Sequence, residues 1–225
     1  MTTAPNIEYR AVSLISGGLD STLATILARK TYGSLLALTF DYGQICAEKE
    51  IEHSKKIAKS IGIESRVIKI DIYREIPEMT VGFLISGALS DKELSYWVPN
   101  RNGVMLEIAG AIAEGIGAEY VVIGFNATEA EGFPDNTLEY LDAINNAFRY
   151  STKGRIKVIS PTARMTKTEI VSMLNEMNFP IEYIYPCYIG GRLLCGKCPS
   201  CLKFIKALQD VGIYERYKWR FSNAT

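Results

Sequence analysis

Two stretches of this chain hold side chains whose types and spacing could do chemistry. The first is Ser16-Gly17-Gly18-Leu19-Asp20-Ser21, placed directly after the apolar run Val12-Ser13-Leu14-Ile15. Adjacent glycines permit a tight turn and close backbone approach, while serine hydroxyls and the amides opening a following helix supply donors to anionic oxygens. The order of strand, glycine turn and helix predicts a cradle for the pyrophosphate of ATP, formed by Ile15, Ser16, Gly17, Gly18, Leu19, Asp20, Ser21, Thr22, Leu23, Ala24 and Thr25. Asp20 does not suit plain phosphate capture, because a carboxylate beside phosphates is tolerable only if it holds Mg²⁺ or orients the turn. Its presence argues for chemistry on the nucleotide, with Mg²⁺ bound alongside. A capped strand-to-helix turn is the plainer reading of the glycine pair taken alone. Neither G-x-x-x-x-G-K-[ST] nor G-x-G-x-x-G is present, so the usual P-loop and dinucleotide readings lose their motif.

The second stretch is Cys187, Cys195, Cys198 and Cys201, spaced C-x₇-C-x₂-C-x₂-C with Gly190, Gly191 and Gly196 between them. Thiolates at this spacing predict a tetrahedral zinc ion, and with all positions filled by sulfur the metal is structural. An iron–sulfur cluster or a redox pair are the alternatives for such ligands. Cys46 stands alone and reads as a packed thiol. His53 is the only histidine, and it is expected in solvent on a charged helix face. No Ser-His-Asp arrangement can be built around it, which disfavours a hydrolase triad.

These groups must be positioned by alternating strands and helices. Apolar runs of strand length, Val12 to Ile15, Leu35 to Phe40 and Val67 to Ile70, alternate with helical patterns at 22–30 and 47–60. That is a βαβαβ unit with a mostly parallel sheet. Residues 71–98, with Pro77, Gly82 and Gly87, read as a loop with partial helix that could cover a site. Helices are expected at 102–116 and 137–150, and strands at 120–125 and 156–160. Thr166-Lys167-Thr168-Glu169 is a capping box before a further helix. It places the Lys167 cation in a first helical turn, where the dipole favours anions, so either a bound phosphate or plain surface exposure accounts for it.

The chain has 225 residues, 48% of them hydrophobic, enough for one sizeable core. The expected division is an α/β domain at 1–180 and a small cysteine-bearing appendage at 181–225 packed on it. Lys and Arg total 25 and so do Asp and Glu, which gives no global electrostatic case for nucleic acid or membrane. The basic residues Lys203, Lys206, Arg216, Lys218 and Arg220 are expected on a solvated face. The N-terminal residues lack the character of a secretory signal and no apolar run is long enough to span a bilayer, which predicts a cytoplasmic protein.

The glycine turn, Asp41-Tyr42-Gly43-Gln44, Val98-Pro99-Asn100-Arg101-Asn102, Phe133-Pro134-Asp135, Thr166-Lys167-Thr168-Glu169-Ile170 and the stretch from Cys187-Tyr188 to Cys201 together resemble the 7-cyano-7-deazaguanine synthase family. The resemblance runs from about residue 11 to about residue 208, nearly the whole chain. It places the chain in the PP-loop ATP pyrophosphatases and implies an adenine nucleotide alpha hydrolase-like α/β fold. That is a doubly wound, mostly parallel sheet with a small C-terminal appendage binding zinc through its four cysteines.

The activity it implies is conversion of 7-carboxy-7-deazaguanine and ammonia to the 7-cyano base through adenylated intermediates. AMP and pyrophosphate are released, on the way to queuosine or archaeosine. Asp20, Lys167 and Arg101 would carry catalysis, and Leu38 to Asp41 would lie beside adenine. Arg101 and Asn102 would bind phosphate or the substrate carboxylate, and Asp135 or Glu139 would accept from guanine-like N–H groups. A homodimer is implied by the resemblance alone.

The family pattern is broken at Ile45-Cys46, where Arg-His is usual, at Asn136-Thr137, where Cys-Arg is common, and at Tyr185-Pro186, where Trp-Ser often stands. These departures leave room for a different substrate. Competing readings are a tRNA-thiolating or other amidating ATP pyrophosphatase and a non-catalytic nucleotide-binding zinc module. Charge neutrality and a single spare cysteine count against tRNA thiolation. Asp20 with Lys167 counts against the passive module.

Overall fold

The computed structural model describes residues 8–76, 78, 83–87 and 96–222. Strands β1 (Ala11–Leu14) and β2 (Leu35–Asp41) are buried along their full lengths, as expected for strands covered by helices on both faces. With β3 (Glu64–Lys69), β4 (Tyr120–Val122) and β5 (Lys157–Ile159) they form a parallel sheet in the order β3-β2-β1-β4-β5. The connection after β3 returns across β1 to β4, so the direction of winding reverses there. A crevice opens at the carboxyl ends of β1 and β4, the place where open α/β sheets bind ligands.

Successive residues of β1 face opposite layers. Ala11 meets Ala24 and Ala28 of α1 (Leu19–Tyr32), and Ser13 Oγ lies 2.8 Å from Thr25 Oγ1 of the same helix. Val12 and Leu14 instead pack with Leu106 and Ala109 of α5 (Arg101–Ile116) and Phe148 of α7 (Leu138–Ser151). Helix α2 (Ala47–Ser60) lies on the α1 side, with Ile57 and Ala58 against Ile15 and Ala37. Short helices α3 (Ile72–Glu75), α4 (Phe83–Ser86) and α6 (Ala127–Ala130) fall in the connections. Of the loop expected at 71–98, residues 77, 79–82 and 88–95 lie outside the described residues.

Helix α8 (Lys167–Glu176) begins at the expected capping box: Thr166 Oγ1 accepts from the Glu169 amide and Glu169 accepts from the Thr166 amide. Helices α9 (Pro199–Asp210) and α10 (Tyr214–Tyr217) complete the chain. One apolar cluster joins Leu19 and Leu23 of α1, Ile170 and Leu174 of α8, Phe204 of α9 and all four clustered cysteines. The cysteine segment therefore shares a core with the helix that follows the glycine turn.

Three local expectations are corrected. β3 starts at Glu64, because Gly62 at φ +67° turns the chain straight out of α2 and the half-exposed edge carries polar residues that masked the strand. β4 stops at Val122, since the backbone at Gly124 bends against the start of α1. Arg220 is buried, not solvated: its guanidinium donates to the Ile181 and Ile184 carbonyls at 3.1 and 2.5 Å. Among the described residues, no helix is long and apolar enough to cross a membrane.

Candidate nucleotide and metal sites

The glycine turn leaves β1 with Gly17 at φ +79°, where a Cβ would also stand 2.9 Å from His53 Cβ and 3.1 Å from the Ser54 nitrogen. Both conformation and space require glycine there. Within the turn, Ser21 Oγ accepts from the Ser16 amide at 3.2 Å and lies 3.1 Å from Ser16 Oγ. Gly18, the N-cap of α1, provides no side chain to satisfy the first-turn amides. Those amides have no intrahelical partner, and Leu19, Asp20 and Ser21, which carry them, line a cavity. The turn is held from behind by Tyr185, whose backbone N–H donates to the Gly17 carbonyl at 2.8 Å.

Across the crevice, a Cβ on Gly124 would stand 2.5 Å from the Ser21 nitrogen and 2.7 Å from the Asp20 carbonyl carbon. These are backbone atoms and cannot swing aside. Gly124→Ala is expected to push the start of α1 away from the crevice at a cost of about 1–3 kcal/mol. ATP affinity should weaken by about tenfold, the equivalent of ~1.4 kcal/mol. Titration calorimetry and thermal melting check this, and unchanged values in both would contradict the close approach.

Asp20 faces into the crevice. Its Oδ2 accepts from Lys167 Nζ at 2.8 Å, and Lys167 Nζ also lies 3.1 Å from Glu129 Oε1. Glu129, on α6, pairs in addition with Lys203 of α9 at 3.1 Å. Burial works against the charge on Lys167, and the two carboxylates outweigh it, so its pKa lies above the ordinary lysine value. Burial works equally against Glu129, and Lys167 with Lys203 outweighs it, holding that carboxyl below its usual range. The buried Asp20 Oδ1 and Asn126 Nδ2 have no hydrogen-bond partner among the described residues. An orphaned carboxylate oxygen and an orphaned amide donor beside open helix amides fit Mg²⁺ and phosphate oxygens. Asp20 is the residue that would hold the cation.

A cavity of about 240 Å³ joins these groups. Ile15, Ser16, Gly18, Leu19, Asp20, Ser21, Arg101, Asn102 and Lys167 of the expected site line it. Gly17 does not, and neither do Thr22, Leu23, Ala24 and Thr25. The 3.6-residue period of α1 turns Leu23 and Ala24 into the core, and the Thr22 and Thr25 hydroxyls donate to the Gly18 and Ser21 carbonyls at 2.6 and 2.7 Å. Leu38 and Phe40 line the wall, but Asp41 is tied to Arg74 at 2.5 Å. Asp135 lies in a small adjoining recess with Arg101 and Tyr96, and its backbone oxygen accepts from Asn102 Nδ2 at 3.3 Å. Glu139 lines neither space. It sits in the first turn of α7, where Thr137 caps the helix and the dipole favours a carboxylate.

Sequence reasoning missed Glu129, Asn126, Tyr188 and Glu50, all of which line the cavity. Asn126 and Glu129 had a readable signal, since Asn126 caps the turn that follows β4 and accepts from the Glu129 amide at 2.9 Å. Arg101 also lines the cavity, and its guanidinium lies 6.0 Å from the Tyr42 ring centroid. Gln44 Nε2 donates to Glu50 Oε2 at 2.7 Å and to the Phe40 carbonyl at 2.9 Å, while Gln44 Oε1 accepts from the Tyr42 amide at 2.9 Å. Burial pushes the Glu50 carboxyl above its usual range, more than Gln44 and Arg101 lower it.

The four cysteine sulfurs lie within 4.8 Å of one another and all four residues are buried. Cys195 Sγ and Cys201 Sγ are 3.8 Å apart, matching the edge of about 3.8 Å that Zn–S bonds of ~2.3 Å give a tetrahedron. Backbone amides of Ile189 and Cys195 donate to Cys187 Sγ, those of Lys197 and Cys198 to Cys195 Sγ, and that of Cys201 to Cys198 Sγ, at 3.2–3.5 Å. Such donors stabilise thiolates, so the cluster fits zinc.

Cys46 is buried, with Sγ donating to Glu50 Oε1 at 3.5 Å, and burial raises its pKa well above that of a reactive thiol. His53 corrects its expectation. Its Nδ1 lies 2.7 Å from the Tyr183 carbonyl and its ring packs on Tyr185, with centroids 5.0 Å apart. Burial lowers its pKa, and the residue braces the back of the glycine turn.

The family described as Queuosine biosynthesis protein QueC matches residues 10–212. A 7-cyano-7-deazaguanine synthase of Methanosarcina mazei is 42% identical, with 91% of this chain and 95% of the relative covered. One from Carboxydothermus hydrogenoformans is 41% identical, covering 88% and 97%. Among solved structures, a 4-thiouridine synthetase in complex with RNA and ATP has a TM-score of 0.54 at 23% identity, covering 92% of this chain and 52% of that one, a likeness of fold alone. With the family match spanning almost all of the sheet, the glycine turn and the cysteine cluster, the chain belongs to the QueC family of queuosine biosynthesis proteins.

Proposed function

We propose that this protein is a C–N bond-forming ligase that converts 7-carboxy-7-deazaguanine and ammonia to 7-cyano-7-deazaguanine at the expense of ATP, for queuosine or archaeosine formation. The observation that carries the proposal is one cavity lined by the amides of the glycine turn, by Lys167 paired with Asp20, and by Arg101 with Asn102. Relatives named for this synthase, 41–42% identical over nearly the whole chain, support the substrate.

In this reading the turn amides and Lys167 hold the phosphates, and Asp20 would hold Mg²⁺, which when bound would supply further charge neutralisation. Arg101 and Asn102 hold the carboxylate of the acid against the α-phosphorus. Attack by that carboxylate expels pyrophosphate and forms the acyl adenylate. Ammonia displaces AMP to give the amide, and a second adenylation at the amide oxygen lets AMP leave as the nitrile forms. The protein contributes alignment and fixed charge to each displacement. Of the two carboxyls expected to read the base, Asp135 is the one beside Arg101. The zinc-bearing segment, 181–225, serves as an appendage that shapes the site without taking part in the chemistry.

The test is incubation with ATP, Mg²⁺, ammonium and 7-carboxy-7-deazaguanine, followed by mass analysis of the base and quantitation of AMP and pyrophosphate. Nitrile together with both nucleotide products is expected. Metal-loaded protein that yields neither amide nor nitrile would sink the proposal.

A further inference from the structure

Among the described residues, the carboxylates lining the cavity are Asp20, Glu129 and Glu50. Lys167 engages the first two at the phosphate end. Glu50 has different partners, its carboxyl accepting from the neutral donors Gln44 Nε2 at 2.7 Å and Cys46 Sγ at 3.5 Å. Gln44 is itself fixed by Phe40 and Tyr42 backbone bonds, so Glu50 is presented to the cavity in a set orientation. Charged and titratable groups acting on it come from three directions: Asp41 at the end of β2, Cys46 at the cap of α2 and Arg101 from α5, with the Tyr42 phenol alongside.

Amide formation from an acyl adenylate has a proton requirement that none of the phosphate-binding groups meets. At neutral pH ammonia is present chiefly as ammonium, which has no lone pair. The acyl end therefore needs an anion that attracts a small cation and then accepts its proton. Resting on the function proposed above, we infer that Glu50 binds the incoming ammonium and deprotonates it for attack on the acyl adenylate. One N–H proton passes to the Glu50 carboxylate. The freed lone pair forms the C–N bond, and the C–O bond to AMP breaks with its electron pair leaving on the phosphate. The second proton, on the now cationic nitrogen, leaves with the departing AMP. Arg101, on the same cavity wall, holds the acyl partner near this carboxylate, and a carboxyl whose pKa is raised toward neutrality by burial is better matched to the proton transfer than an ordinary one.

Glu50→Gln keeps the shape and an acceptor oxygen but cannot take the proton. Its kcat/KM for ammonium is expected to fall by about 10²-fold, the low end for loss of a general base. Substrate-dependent exchange of labelled pyrophosphate into ATP, which needs no ammonia, should stay within about threefold of the unsubstituted protein, a change small beside a general-base loss. Hydroxylamine, neutral at pH 7, should restore capture of the acyl group as the hydroxamate. Unchanged ammonium kinetics in Glu50→Gln would overturn the assignment. So would loss of exchange in parallel with amide formation in a variant that melts normally, because Glu50 would then serve binding or packing. Failure of the unsubstituted protein to catalyse exchange with this acid would instead remove the proposed function itself.

Discussion

Asp20→Asn is expected to reduce AMP and pyrophosphate release by about 10³-fold, at the upper end of what removing one preorganised charge-stabilising group costs an active site. The substitution is nearly isosteric, and its amide oxygen can still accept from Lys167 Nζ, now 2.8 Å from Oδ2. Lys167 also keeps Glu129 at 3.1 Å, so the buried ammonium is not left without a counter-charge. What disappears is the negative charge at Oδ1, an oxygen with no protein partner among the described residues, beside the open amides of α1. The expected effect is therefore on turnover and on Mg²⁺ dependence, with thermal stability and zinc content unchanged. Measured AMP release within tenfold of the unsubstituted protein would show that Asp20 orients the turn without holding the cation.

Cys198→Ser separates the metal from the helix cap. Cys198 is the N-cap of α9 and accepts from the Cys201 amide at 3.4 Å. Serine is a favoured cap, so the start of α9 survives the change while one thiolate is lost. Structural zinc contributes about 10–16 kcal/mol in small metal-dependent domains, and a quarter of that, ~2.5–4 kcal/mol, is the expected destabilisation. That is a large share of the ~5–15 kcal/mol that holds a typical domain folded. Metal analysis should give less than one zinc per chain, and chelator should lower the melting temperature of the unsubstituted protein toward that of the variant. Equal melting temperatures with and without metal would contradict a structural role.

How much of this was legible in the sequence varied with the distance between partners. The glycine turn and the cysteine spacing are local, because their function depends on backbone conformation and on ligands a few residues apart. Periodicity gives α2 its observed bounds, and the capping box gives the start of α8. The cap at Asn126 marks a turn ahead of Glu129, but what sets Glu129 and Glu50 apart is a neighbour far along the chain: Lys167 for the first and Arg101 for the second. Asp135 and Glu139 illustrate the converse. Both were chosen by residue type, and only the turn at Pro134–Asn136 decides that Asp135 faces the recess while Glu139 stabilises a helix end.

The bond from the Tyr185 amide to the Gly17 carbonyl joins the residue two places before the first of the clustered cysteines to the left-handed residue of the nucleotide turn. It is a direct physical link between the two stretches, so whatever orders one end of this contact restricts the other. A metal that ordered the cysteine segment and a nucleotide that ordered the turn would favour one another through this contact, by the same free energy in both directions.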